Sequence, residues 1–173
     1  MTATIKSIID HYQFDRIPIE GTFYKSTYVA PQKIGDSPLS TAIIGLYTHH
    51  PKSVSLFHRL KQDEVWHFYA GQAFALHLLF PDGTYQKIIM GNDINMGEQV
   101  QFVVPAHVWQ AGELLPNNEY ALFGCTLSPG FTGTSFEGGL AVSLLKQYPA
   151  QAEIIQRLAV KGHDTNLPKG FTQ

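Results

Sequence analysis

The chain has little charge, a single cysteine and no basic run. Only 15% of its 173 residues are charged, well below the usual quarter, while 44% are hydrophobic and 12% aromatic. This balance indicates a compact, heavily buried protein with apolar surface available for an oligomer interface. The formal net charge is −2. With no basic patch, nucleic acid is not an expected partner.

Three absences bear on location. Cys125 is the sole cysteine and cannot form an internal disulfide, which fits a reducing compartment. No stretch approaches the roughly 18 apolar residues of a membrane helix. Residues 1–6 lack the apolar core of a signal peptide. We therefore predict a cytoplasmic protein with no membrane partner.

The length and the residue pattern predict one domain, residues 1–173, with a barrel over about 20–135. Ile5, Ile8, Ile9 and Tyr12 fall at helical spacing and predict a helix over 2–12. Further apolar residues at helical spacing predict two helices over about 138–160, split near Tyr148. Between them lie eight segments rich in β-branched and aromatic residues, separated by turn signals: 22–29, 41–48, 53–60, 64–69, 73–80, 85–90, 100–104 and 120–127. The fold class is therefore all-β, a sandwich, jelly roll or barrel with helical ends.

The stretch from His58 to Gly71 contains the residues with most chemical information. Five residues separate His58 from Glu64, which places the two on successive strands of one hairpin. Alternation then puts Glu64, Trp66 and Phe68 on one face. If that face is the interior, a carboxylate lies in an aromatic pocket beside an imidazole, and its pKa is raised by burial or its charge is held by a protonated histidine. The alternative is an exposed Glu64 and a structural His58.

This stretch resembles the first motif of the cupin superfamily, His-x-His, three to six residues, Glu, six residues, Gly. His58, Glu64 and Gly71 match it, and Leu56 stands at the first His. The segment 97–110 resembles the second motif, but Gln110 stands at its final His, the Gly-to-Pro spacing is two longer and His107 replaces a Gly. Two of the four metal-holding positions are therefore kept. The resemblance implies a double-stranded β-barrel, or jelly roll.

Four blocks resemble one cupin subfamily more closely, the group labelled predicted sugar epimerases. They are Glu20–Tyr24, Phe57–Phe68, Val104–Gln110 and Pro129–Phe131. The resemblance implies a homodimer and brings no established substrate with it.

A tightly bound metal is not expected, because transition-metal sites usually need three or four His, Cys or carboxylate ligands. Leu56 removes one ligand, and Gln110 offers only a weak amide oxygen. A loosely held divalent ion at His58, Glu64 and Gln110 stays open. The remaining histidines carry little information: His77 is expected in the core, and His163 in the tail.

Three functions follow from these residues. The first is a metal-independent sugar epimerase or isomerase, because the subfamily resembles the dTDP-4-keto-6-deoxyglucose 3,5-epimerases. In it His58 is the base, Tyr120 the candidate acid and Glu64 the group beside the developing enolate. The second is a non-catalytic module that binds a small molecule. The third is a metal-dependent cupin enzyme with a reduced site.

The expected ligand is a small polar or carbohydrate-like molecule. Three arginines in the whole chain argue against a nucleotide-linked sugar. An indole offers a flat face for a sugar, although each tryptophan is equally well explained as barrel core. The residues predicted to bind the ligand are Tyr24, Ser26, Trp66, Phe68, Trp109 and Gln110.

Overall fold

The computed structural model describes residues 1–162 and 164–171, so that His163 lies outside the described residues. Three α-helices are present: α1 (Ala3–Tyr12), α2 (Ala141–Gln147) and α3 (Ala152–Leu158). The strands are β1 (Asp15–Arg16), β2 (Phe23–Val29), β3 (Lys33–Ile34), β4 (Ser37–Pro38), β5 (Thr41–Thr48), β6 (Ser55–Leu60), β7 (Glu64–Gly71), β8 (Phe74–Leu79), β9 (Tyr85–Met90), β10 (Gln101–Val104), β11 (Trp109–Leu114), β12 (Tyr120–Leu127) and β13 (Phe136–Gly138).

Two sheets enclose the main core. One has six strands in the order β1-β2-β5-β12-β7-β10, and the other has five in the order β13-β6-β11-β8-β9. Every pairing between these strands is antiparallel. Inward side chains of both sheets form one cluster that includes Tyr47, Trp66, Phe74 and Phe123. The predicted all-β jelly roll with helical ends is confirmed.

All eight predicted strand segments are present, and β5, β9 and β12 have the predicted bounds. The strand β11 was not predicted from the sequence. Its sequence, Trp-Gln-Ala-Gly-Glu-Leu, contains no β-branched residue and one glycine, so its composition does not favour a strand. Pairing with β6 on one side and β8 on the other holds it in the sheet.

The terminal helices pack where the sequence pattern predicts, with one shift. The Thr2 hydroxyl accepts a hydrogen bond from the Ile5 N–H and caps α1. Residues 136–138, by contrast, pair with β6, and α2 begins only at Ala141. The α2 and α3 helices cover a second apolar cluster, outside the main core, that includes Phe57, Leu79 and Trp109. No helix of the described chain is long and apolar enough to cross a membrane.

A β-bulge in β6 shapes the interior at the level of the site. Gln110 pairs with His58 and Gly112 pairs with Ser55, so that β6 has one residue more than β11 between the two pairs. As a result, both Ser55 and His58 are buried, although they are three residues apart. Leu56 instead packs against the second apolar cluster.

Candidate functional site

A small cavity lies between the two sheets, and it is called the inner cavity below. Its polar lining residues are Glu20, Thr22, His58, Glu64 and Cys125, and its aromatic ones are Trp66, Phe123, Phe131 and Phe136. Its volume is about 20 Å³, which is enough for about one water molecule. A larger ligand therefore needs a side chain of the wall to move.

His58 has a defined tautomer in its neutral form. The side chain is 3% exposed, and its Nδ1 lies 2.8 Å from the carbonyl oxygen of Leu56. A carbonyl only accepts hydrogen bonds, so Nδ1 carries the hydrogen and the neutral ring has its lone pair on Nε2. That nitrogen is 3.9 Å from Oε2 of Glu20. The ring stacks on Phe136, with 5.4 Å between the centroids.

Glu64 is held in place by a chain of hydrogen bonds across the barrel. The Trp66 indole N–H donates to Oε1 of Gln110 at 2.9 Å, and Nε2 of Gln110 donates to Oε2 of Glu64 at 2.7 Å. Burial raises the pKa of Glu64. The nearby His58 lowers it, Glu20 raises it, and the hydrogen bonds from Gln110 and Cys125 lower it, but the net direction is upward. Compared with water, this position therefore favours the neutral form of the carboxyl.

Glu20 is a site residue that the sequence analysis did not assign. It lies in the loop between β1 and β2, is 7% exposed, and accepts a hydrogen bond from the Thr22 hydroxyl. Thr22 is bonded to Ser55 at 2.7 Å, and Ser55 to the Tyr47 hydroxyl at 2.5 Å. The signal in the sequence was the block Glu20–Tyr24, which resembles the cupin subfamily named above. Only the tertiary fold brings that loop to His58.

The structure brings three predicted residues to the inner cavity, namely His58, Glu64 and Trp66. Gln110 is buried directly behind Glu64 and bonds to it. Phe68 packs against the main core beside Phe74.

Tyr24 and Ser26, the two residues of β2 that were predicted to bind the ligand, lie apart from the inner cavity. Tyr24 is buried in the main core, next to Phe171 of the C-terminal segment, and Ser26 is half-buried. Neither lines the inner cavity. A register shift between Ser26 and Tyr28 leaves Tyr28 exposed, so the three residues do not share one face as alternation alone would predict.

The prediction for Trp109 is corrected. Trp109 and Gln110 are adjacent in β11 and therefore point to opposite faces. Gln110 points inward, and Trp109 packs in the second apolar cluster, with the Arg59 guanidinium 4.4 Å above its ring. Trp109 is thus part of the contact between the barrel and its helices.

The prediction for Tyr120 is corrected for the same reason. In β12 the inward residues are Ala121, Phe123 and Cys125, which places Tyr120 on the outer face. Its ring packs over Gly71, where an added Cβ would meet it at 2.8 Å. Tyr120 is absent from the lining of the inner cavity and cannot act there as the acid.

The other two histidines of the core strands lie away from the inner cavity. His67 is on the outer face of β7, 3.3 Å from the Thr126 hydroxyl. His77 is buried between the Tyr85 hydroxyl, at 2.8 Å, and Glu113, at 3.2 Å. Glu113 also pairs with Arg157 of α3. This second cluster joins α3 to the barrel.

The residues at the cupin metal positions do not fit a metal ion. Leu56 is turned away from His58 by the bulge, and both polar ends of the Gln110 amide are engaged by Trp66 and Glu64. Among the described residues, no group of three His, Cys, Asp or Glu side chains has the arrangement of a metal site.

Comparison with known proteins identifies the family. Residues 6–138 match the family described as Cupin superfamily (DUF985). This chain belongs to the cupin superfamily.

Two solved structures are similar over nearly the whole chain. Protein SO0799 from Shewanella oneidensis is 32% identical, with a TM-score of 0.81, over 89% of this chain and 96% of that chain. A hypothetical protein from Leishmania major is 26% identical, with a TM-score of 0.84, over 93% of this chain and all of that one. The uncharacterized protein YML079W of Saccharomyces cerevisiae is 40% identical over 57 residues, which are 31% of this chain and 28% of the yeast protein.

Proposed function

We propose that this cupin is a metal-independent isomerase that moves a proton on a small polar or sugar-like ligand in the barrel. One observation carries the proposal. A buried imidazole, with an unprotonated Nε2 in its neutral form, lines the same cavity as two buried carboxyl groups, Glu20 and Glu64. An imidazole between carboxyl groups in an apolar enclosure is suited to general acid–base chemistry.

His58 is the base in this proposal. Its Nδ1 hydrogen is fixed on the Leu56 carbonyl, which leaves the Nε2 lone pair to accept a proton from a carbon next to a carbonyl. Glu20, 3.9 Å from that nitrogen, would stabilise the imidazolium that forms. The imidazolium then returns the proton to the neighbouring carbon of the enediol, which completes the isomerisation and restores the neutral base.

Glu64 is the acid. Burial raises its pKa, so a neutral carboxyl can donate a hydrogen bond to the oxygen on which enolate charge develops. An ionised Glu64 at this place would instead repel the developing enolate. Gln110 and Trp66 position the carboxyl and do not exchange protons with the ligand.

Access to the inner cavity involves Phe131. This side chain lines both the inner cavity and an outer pocket of about 230 Å³, which Thr41 and Phe171 also line. Rotation of Phe131 would join the two spaces, and the outer pocket would hold the part of the ligand that does not react.

Solvent-deuterium incorporation tests the proposal. A panel of small ketoses, aldoses and hydroxyketones is incubated with the protein in D2O, and loss of carbon-bound protons is followed by ¹H NMR. We expect exchange at one carbon next to the carbonyl of at least one compound. His58→Gln and Glu64→Gln should each lower the rate by about a hundredfold or more.

The matched controls are His11→Gln and Glu153→Gln, which change exposed residues of α1 and α3. Both should keep the wild-type rate. Binding of a compound without exchange would instead support the non-catalytic module. Equal rates in the cavity variants and the controls would contradict the assignment of His58 and Glu64.

A further inference from the structure

Two hydrogen-bond acceptors face each other in the inner cavity. They are Nε2 of neutral His58 and Oε2 of Glu20, which are 3.9 Å apart. Among the described residues, the hydrogen bonds of these two side chains use the other atoms, His58 Nδ1 and Glu20 Oε1. A separation of 3.9 Å is too long for a direct hydrogen bond. A group placed between them must therefore bring at least two donor hydrogens.

The charges around this gap favour a cation. Glu20 and Glu64 both line the inner cavity, and no lysine or arginine is among its lining residues. The third acidic group, the Cys125 thiol, has a pKa raised well above its usual value by burial and by the two glutamates, so it remains neutral. Arg16 and Arg59 are the arginines closest in sequence to Glu20 and His58, and both bind groups outside the cavity. Arg16 donates to the Gly21 carbonyl, and Arg59 pairs with Glu137. An entering anion would meet Glu20 Oε2 and the Nε2 lone pair of neutral His58, and no lysine or arginine of the lining would offset them.

The rest of the lining is aromatic. Trp66, Phe123, Phe131 and Phe136 surround the polar groups. Aromatic faces attract cations, most strongly where water is excluded. They offer no comparable attraction to a carboxylate or a phosphate.

We infer that the ligand group held between Glu20 and His58 is a primary amine in its ammonium form. An ammonium has three donors, enough for Glu20 Oε2, for His58 Nε2 and for a carboxyl oxygen of Glu64. This inference goes beyond the proposed function, and it names small amines and amino sugars as a ligand class. An ammonium bonded to His58 Nε2 occupies the lone pair that the proposed base uses, so such a ligand takes the place of the reacting carbon and competes with the substrate.

Three one-carbon probes of different charge test the inference: methylammonium, methanol and formate. Each is titrated into ¹⁵N-labelled wild-type protein at neutral pH, and the Trp66 indole N–H signal is followed. Methylammonium should bind at least about tenfold more tightly than methanol, because hydrogen bonds to charged groups are the stronger ones. Formate should not change the chemical shift of the Trp66 indole N–H.

The same titrations are repeated with the Glu20→Gln variant. It should weaken methylammonium binding about tenfold and change methanol binding by less than about twofold, whereas Glu153→Gln should change neither. If formate binds as tightly as methylammonium, or if no probe moves the signal of the wild-type protein, the inference is overturned, and this result needs no variant to fold.

Deuterium exchange is measured in a separate experiment. An ammonium preference without exchange would overturn the isomerase and leave the ligand class standing.

Discussion

The amide of Gln110 donates a hydrogen bond to Glu64 across the barrel interior, over 2.7 Å. Gln110 belongs to the five-stranded sheet and Glu64 to the six-stranded sheet, so this bond links the two layers. The same amide accepts the Trp66 indole N–H. Its orientation is therefore fixed at both ends, and the position of the Glu64 carboxyl is fixed with it.

Gln110→Leu should lower the free energy of unfolding by about 2–5 kcal/mol, because it leaves two buried polar groups, the Trp66 N–H and the Glu64 carboxyl, without a partner. Urea unfolding followed by tryptophan fluorescence measures the change. The same substitution at exposed Gln147 of α2 is the control and should cost little. Similar losses in both variants would show that the Gln110 bonds do not contribute to stability.

Glu64 should make the protein less stable as the pH rises. Its pKa is raised above the ordinary value of 4.5 in the folded protein. Below that value the carboxyl is protonated in both the folded and the unfolded chain. Between the two pKa values the folded chain binds more protons, so the free energy of unfolding falls with increasing pH and levels off above the folded pKa.

Glu64→Gln removes this titration. The stability of the variant relative to wild type should therefore increase as the pH rises from 4.5 through the folded pKa, by about 1.4 kcal/mol for each unit of the shift. Urea unfolding at several pH values, with Glu153→Gln as the control, gives the comparison. A constant difference over this range would mean that burial of Glu64 does not raise its pKa.

The two tryptophans should respond differently when a ligand binds in the inner cavity. Trp109 packs outside the barrel interior, under Arg59, whereas Trp66 lines the inner cavity. Trp109→Phe should therefore lower stability while leaving the chemical shift of the Trp66 indole N–H, and its response to methylammonium, unchanged. A ¹H–¹⁵N spectrum, which has two indole signals in the wild type, tests this directly. If the Trp66 indole signal of Trp109→Phe no longer responded to methylammonium, Trp109 would have to be part of the ligand site.

The homodimer implied by the family resemblance remains a prediction, and we now place its interface on the outer face of the six-stranded sheet. Tyr69 and Val103 lie on that face of β7 and β10 and are 52% and 48% exposed. We expect sedimentation velocity to give a species of two chains. Val103→Glu should shift it towards the monomer, whereas Val142→Glu on α2 should not. A monomer in all three samples would contradict the prediction.

More of the fold than of the candidate site could be predicted from the sequence. The spacing of β-branched and aromatic residues was sufficient for eight strands, and alternation correctly grouped Glu64 with Trp66. It could not reveal the bulge in β6, because an extra residue in a strand leaves the residue types unchanged. The bulge decides that Leu56 points away from the site.

Register and long-range placement account for the remaining errors. The role assigned to Tyr120 depended on its register, and one residue of error in a strand exchanges the inner and the outer face. Glu20 is in a loop that has no periodicity, and its contact with His58 spans 38 positions of sequence, from 20 to 58. A pattern that is read locally does not contain such a contact.

The central claim is that neutral His58 presents an unprotonated Nε2 to the inner cavity. A long-range ¹H–¹⁵N correlation spectrum of the histidine rings tests it most directly, with the His58 signals assigned by their loss in His58→Gln. Where the ring is neutral, the account predicts a protonated Nδ1, bonded to the Leu56 carbonyl, and an unprotonated Nε2. A spectrum with the hydrogen on Nε2 would contradict it, because the cavity would then face a donor, and neither the proposed base nor the ammonium site could exist.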